Sequence, residues 1–190
     1  MIYDKLVKAA EDHKQLFNEL MVNHAEALQG LTQDVVKAFH GEGRLLLLGS
    51  GTLGAVTTLA ANLFLHRLAI DRPSLPAISL CQNAPLATAL GADGLGDQYL
   101  LRQMRTIARP GDIVLAFDDV RHGASVREAL AGASAIGCGT ARVLLGSDPS
   151  NDDVDYLFCF PQLAPARGIE ASVLFCCLLC ELVEADLFGF

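Results

Sequence analysis

Two segments of this 190-residue chain carry residue types that can do chemistry. The first is Gly49-Ser50-Gly51-Thr52, between the apolar run Leu45-Leu46-Leu47-Leu48 and a helical stretch from Leu53 to His66. The backbone N–H groups of such a turn, with a helix dipole behind them, can hold an anion. The same pattern also serves as a plain strand-to-helix turn, and without a Gly-Lys-Ser/Thr it is no Walker loop. The second is Phe117-Asp118-Asp119-Val120-Arg121-His122-Gly123. Asp118 or Asp119 with His122 has the residue types of an acid–base pair. The same acids can instead cap a helix beginning around Gly123, and capping is the reading adopted here. Two fixed negative charges at that place repel a phosphate rather than cradle it.

The remaining candidates are weaker. Of the five histidines (His13, His24, His40, His66, His122) only His122 falls in a loop expected beside a pocket. The six cysteines, at 81, 138, 159, 176, 177 and 180, sit in apolar sequence and form no zinc-type pairs with histidines. Cys177-Leu-Leu-Cys180 lies inside an apolar helix, away from any helix N-terminus that would lower a thiol pKa. Buried thiols in a reducing cytoplasm are expected, with no metal and no cofactor.

These segments need a frame to position them. Short apolar runs at Leu45–Leu48, Pro76–Leu80, Asp112–Phe117, Ala141–Leu145 and Tyr156–Phe160 alternate with helical stretches at 53–66, 84–90, 97–108, 125–136 and 169–187. Apolar strands alternating with helices predict a five-stranded parallel sheet covered on both faces, an α/β fold whose ligand crevice lies at the strands' C-terminal ends. Ahead of it, all four lysines fall in the first forty residues. Leu6, Ala9, Ala10, Leu16, Phe17, Leu20, Met21, His24 and Leu28 recur there at helical steps. That predicts a long amphipathic helix, a break at Gly30 and a short second helix to Phe39. Residues 1–42 are therefore expected to be a helical oligomerisation arm, and 43–190 one α/β domain.

Composition bounds the partners. The formal net charge is −8, which disfavours a phosphate backbone as ligand, so no direct nucleic-acid contact is expected. Ala171–Cys180, the greasiest run, is closed by Glu170 and Glu181 at about half the length a bilayer needs. The acid-containing start Met-Ile-Tyr-Asp-Lys does not read as a signal peptide, so a cytoplasmic place is expected. With 52% hydrophobic residues, the arm and the last helix (Val173, Leu174, Phe175, Leu178, Leu179, Leu182, Val183) exceed what one subunit can cover. A homotetramer of D2 symmetry is expected.

The segments Leu48-Gly-Ser-Gly-Thr52, Gly111-Asp-Ile-Val-Leu-Ala-Phe-Asp-Asp-Val120 and Gly168-Ile-Glu170, in this order, resemble the sugar isomerase (SIS) domain family in its phosphoheptose isomerase branch. The resemblance implies a flavodoxin-like SIS fold and a pocket whose remnant is Ser50, Gly51, Thr52, Asp93, Asp118, Asp119, His122 and Glu170. It also exposes departures. Where the branch has a His and a Glu for proton transfer after the first loop, this chain has Leu59 and Leu63. A further catalytic His is matched by Cys177, the phosphate-binding Ser-Thr-Ser by Asp118-Asp119-Val120, and a Gln by Ile169. Leucine can neither give nor take a proton, so no catalytic residue is assigned. Asp93, in Gly91-Ala-Asp-Gly94, also reads as a plain turn residue, and Glu170 as an acid in a helix's first turn.

Arg72-Pro-Ser-Leu-Pro-Ala-Ile-Ser-Leu80 and Leu179-Cys-Glu-Leu-Val-Glu-Ala-Asp-Leu-Phe188 resemble the members of that branch that associate with the replication initiator DnaA. What this implies is a non-catalytic adaptor that binds a DnaA-type initiator, with Leu187 and Phe188 as the partner contact. The alternatives are a phosphosugar isomerase, of the sedoheptulose 7-phosphate type, or a weak sugar-phosphate binder.

Overall fold

The computed structural model describes residues 1–119, 123–146, 153–160 and 164–189. A single helix, α1 (Ile2–His40), leads into β1 (Leu45–Gly49), α2 (Leu53–Leu65), β2 (Ala77–Ser79) and α3 (Ala84–Ala92). A 3-10 turn at Gly96–Gln98 joins α4 (Tyr99–Ile107), followed by β3 (Ile113–Asp119), α5 (Gly123–Ile136), β4 (Gly139–Leu145), β5 (Tyr156–Phe160) and α6 (Pro165–Phe188). The five described strands are all parallel, in the order β2-β1-β3-β4-β5. This is the expected α/β architecture, with the long N-terminal helix in place.

Strand alternation explains why four consecutive leucines form β1. Leu45 and Leu47 face one layer, packed with α1, α2 and α6. Leu46 and Leu48 face the other, packed with α4 and α5. Both sets are fully buried, which is what a doubly covered parallel sheet demands of its central strands.

Gly30 does not break the arm. The helix runs through it because Gly30 serves packing: a Cβ there would lie 3.1 Å from Cε1 of Tyr156. The Tyr156 hydroxyl donates to Asp34 Oδ2 at 2.8 Å, one turn further along α1, so β5 seats its edge ring on this helix. Leu16, Leu20, Leu28, Leu31 and Val35 are buried, whereas Leu6, Phe17 and Met21 remain exposed at 65%, 43% and 49%. The first turns of α1 thus present apolar surface that their own chain does not cover.

The last helix is pinned by charge. Arg72 Nε donates to Glu184 Oε1 at 2.9 Å, and the N–H groups of Leu68 and Ala69 donate to the two carboxylate oxygens at 3.0 Å. Arg72 also donates to the carbonyls of Leu63 and Phe64 at the end of α2. Burial works against the charged carboxylate, but these donors outweigh it and hold Glu184 below its ordinary range. Gly189, in the left-handed region at φ 74°, closes the helix with its N–H on Ala185 O.

Candidate functional site

The order 2-1-3-4-5 reverses between β1 and β3, the place where open parallel sheets take their ligands. The turn after β1 enters here. A Cβ on Gly49 would meet Leu53 backbone at 2.7 Å, and Gly51 adopts φ 51°, so the turn needs both glycines. Ser50 N–H donates to Phe117 O at 3.0 Å, tying the turn to the end of β3.

Asp118 and Asp119 are the last residues of β3, not part of a loop, and the two differ in environment. Asp118 is fully buried. Ser50 Oγ donates to its Oδ1 at 2.9 Å and Arg142 Nη2 donates to its Oδ2 at 2.6 Å. Arg142 stands on β4, itself 0% exposed. The expectation of two like charges facing a ligand is therefore corrected: the charge of Asp118 is matched by a buried guanidinium. Asp118 also lies against the start of α5, since a Cβ on Gly123 would come within 2.8 Å of its Oδ2. His122 lies outside the described residues.

Two recesses of about 400 Å³ each flank the Gly49–Gly51 turn. One is lined by Ser50, Asp97, Tyr99, Ala124 and Ser125. The other is lined by Gly54, Thr58, Cys81, Gln82 and Tyr99, and the two share Gly49, Gly51 and Tyr99. Behind the second, Thr57 Oγ1 and Ser79 Oγ share a buried hydrogen bond of 2.7 Å. Burial pushes the Cys81 thiol up, so it stays protonated at neutral pH.

The structure brings together only part of the expected set. Ser50, Gly51 and Asp118 meet at the turn, with Thr52 exposed at the head of α2. Asp93 is exposed at the end of α3 and lines neither recess. Glu170 is not in the first turn of the last helix, because α6 starts at Pro165. Instead its carboxylate contacts His13 Nδ1 at 2.9 Å and Arg167 Nη2 at 2.6 Å, and Arg167 donates to Ala9 O at 2.9 Å. Glu170 thereby clasps α6 to α1.

The positions matched to proton-transfer groups hold no replacement. Leu59 is 40% exposed on α2, and Leu63 packs half-buried against the core. Cys177 is half-buried, and burial together with Glu181 raises its thiol, so it offers neither base nor thiolate near pH 7. Among the described residues no group of three or more His, Cys, Asp or Glu is arranged to hold a metal ion. Nor is any described helix long and apolar enough to cross a membrane. At the far end of α6, Leu187 packs against the core while Phe188 is 40% exposed, so the candidate contact pair is split.

Asp97, Tyr99, Ser125, Arg142 and His13 were missed by sequence reasoning. Only Arg142 left a legible trace: a charge inside the strand Ala141-Arg-Val-Leu-Leu145 must find a buried counter-charge.

The fold with its turn at the sheet's reversal point is that of an SIS domain. A phosphoheptose isomerase structure from Francisella tularensis superimposes with a TM-score of 0.85 at 21% identity, covering 96% of this chain and 98% of that one. Among curated proteins, a phosphoheptose isomerase of Trichlorobacter lovleyi is 30% identical over 186 residues, 97% of this chain and 94% of the relative. Another, from a Roseiflexus species, is 32% identical over 165 residues, covering 86% of this chain and 84% of the relative. No family model matches the chain. By these relatives the chain belongs to the phosphoheptose isomerase family of SIS-domain proteins.

Proposed function

We propose that this chain is a non-catalytic member of its family, a cytoplasmic homotetrameric adaptor that binds a DnaA-type initiator and promotes its assembly at the replication origin. The observation that carries the non-catalytic part is the chemistry at three positions: Leu59, Leu63 and Cys177 stand where base and acid are required. Moving a proton between neighbouring sugar carbons needs groups that titrate near the working pH. Asp118, held by Arg142 and Ser50, occupies the place of a phosphate-binding serine and is engaged elsewhere.

The initiator is assigned from the resemblance at Arg72–Leu80 and Leu179–Phe188. The buried Arg72–Glu184 pair, which joins these two stretches, supports reading them as one unit. Exposed Phe188 at the end of α6 supplies an aromatic anchor. The uncovered face of α1 supports the tetramer, and residues 1–42 act as its arm around a domain of residues 43–190. A symmetric tetramer raises the local concentration of bound partners, which promotes assembly without chemistry.

The relatives' shared name favours a second reading, an isomerase or binder of sugar phosphates. The polar recess beside Ser50, Asp97 and Ser125 is the feature that supports it. Two measurements separate the readings. The adaptor retains purified DnaA at about one per subunit at physiological salt and leaves sedoheptulose 7-phosphate unconverted above background. Turnover that disappears in Asp119→Asn or His122→Ala establishes a substitute acid–base set and overturns the adaptor reading.

A further inference from the structure

We propose that the exposed face of α4 is a docking surface for an acidic helical segment of a partner protein, gripped by Arg102, Arg105 and Arg109. The inference stands apart from the initiator reading and from the recesses at the sheet's reversal point. The chain has 14 Lys plus Arg against 22 Asp plus Glu, yet the stretch from Tyr99 to Gly111 holds three arginines and no acid. α4 buries Leu100 and Met104 and turns Arg102, Arg105 and Thr106 outward, with Arg109 exposed just past its end. Arg102 Nε donates to Gln98 Oε1 at 2.9 Å. The Arg105 and Arg109 side chains make no hydrogen bond or ion pair among the described residues. The acids next in sequence do not answer them: Asp97 precedes the helix, and Asp112 is engaged by Arg44 and by the Arg109 N–H. One cation in a last turn serves the helix dipole; three within Arg102–Arg109 leave positive charge unanswered.

Position and shape name the kind of partner. α4 lies on the sheet face opposite α1, α2 and α6. Self-association through the uncovered face of α1 therefore leaves α4 pointing outward. Gly132 lets α5 lie close beside it: a Cβ there would stand 2.8 Å from Met104 Cε and 2.9 Å from Leu101 Cδ1. The exposed residues of the adjoining turns of α5 are Ala131, Ser134 and Ala135, too short to obstruct a helix laid along α4. The helical rise sets Arg102 and Arg109 about 10 Å apart, with Arg105 between them. Carboxylates repeated once per turn on a partner helix have the same spacing, and a guanidinium fork grips a carboxylate with two parallel bonds. A long polyanion such as duplex DNA meets the net charge of −8 as well, whereas a short acidic helix needs only these three groups.

The test is fluorescence anisotropy on the full chain at low salt. The probe is a labelled alanine–glutamine helix of about 20 residues carrying Glu once per turn on one face. The wild type is expected to bind it, and not to bind the same peptide with every Glu replaced by Gln. Arg102→Gln/Arg105→Gln/Arg109→Gln is expected to bind about tenfold more weakly, the loss of three exposed pairs of ordinary strength. Arg67→Gln removes an exposed arginine already paired with Asp71 and is expected to bind as the wild type does. If the triple variant melts early, Arg105→Gln/Arg109→Gln takes its place, with about a fivefold loss expected. The proposal is overturned if the wild type ignores the acidic helix, or if the folded arginine variant binds as tightly as the wild type. It is equally overturned if Arg67→Gln weakens binding as much, or if a DNA duplex of equal charge binds more tightly than the peptide.

Discussion

Replacing Glu184 by Gln tests whether the C-terminal helix is pinned by charge. The carboxylate is 0% exposed and accepts from Arg72 Nε and from two backbone N–H groups, at 2.9–3.0 Å. Arg72, 1% exposed, also holds the last carbonyls of α2. Glutamine keeps the shape but removes the charge, leaving a buried guanidinium without its counter-ion. Breaking such a pair costs about 3–5 kcal/mol, and the lower end applies because the amide oxygen retains one acceptor. For a chain of this size, about 3 kcal/mol lowers the melting temperature by about 6–12 °C.

The same pair sets a pH window. Glu184 titrates below its ordinary value of 4.5 in the folded state, so its contribution is fully present above that value. It is lost as the pH falls through the lower folded value. The gap between wild type and Glu184→Gln, followed by circular dichroism, is therefore expected to be full at pH 7 and to shrink steadily below pH 4.5. A variant melting within about 2 °C of wild type at pH 7, less than 1 kcal/mol of effect, refutes the reasoning. So does a gap that fails to shrink at any pH below 4.5, down to the acid unfolding of the wild type.

Other expectations follow from the same contacts. Phe188→Ala is expected to weaken capture of DnaA by about thirtyfold, the loss of a roughly 2 kcal/mol anchor, with melting unchanged. Leu187→Ala is expected to lower the melting temperature, because Leu187 packs on the core; the reverse pattern in binding and melting experiments removes the assigned contact. Gly30→Leu is expected to destabilise by about 1–3 kcal/mol in denaturant titrations, since its first carbon already meets the Tyr156 ring at 3.1 Å. Light scattering at micromolar concentration is expected to give a multiple of the 20.2 kDa chain, and a monomer mass refutes the use of α1 as an arm.

The frame was legible because the strand segments are mostly apolar at successive positions. Leu45–Leu48 and Tyr156–Phe160 announce a sheet covered on two sides, and the spacing of the helices between strands leaves little freedom in connection. The break expected at Gly30 is absent for an equally physical reason. A glycine lowers helix propensity by about 1 kcal/mol, and local pattern carries no sign of a ring arriving from residue 156. The structure starts α6 at Pro165, four residues before the expected Ile169: the proline suits a first helical turn, but Arg167 and Glu170, which clasp α1, interrupt the apolar pattern there.

The site was harder, and the reason lies in where its charges are answered. Asp118-Asp119 looks like a doubled negative charge only while the sequence is read along one strand. Adjacent parallel strands put residues 24 positions apart side by side, and β4 supplies the guanidinium that neutralises one of the two. The adjacent acids therefore play different parts, one inside the sheet and one at its end. Glu170 shows the same principle across layers, since its partners His13 and Arg167 bind it to α1 and not to the recess. A residue matched to a family's pocket by position keeps that role only if its neighbours in space leave it free. Here the neighbours of Asp118 and Glu170 have claimed both, which is how a family fold can persist while residues at matched positions take up structural parts.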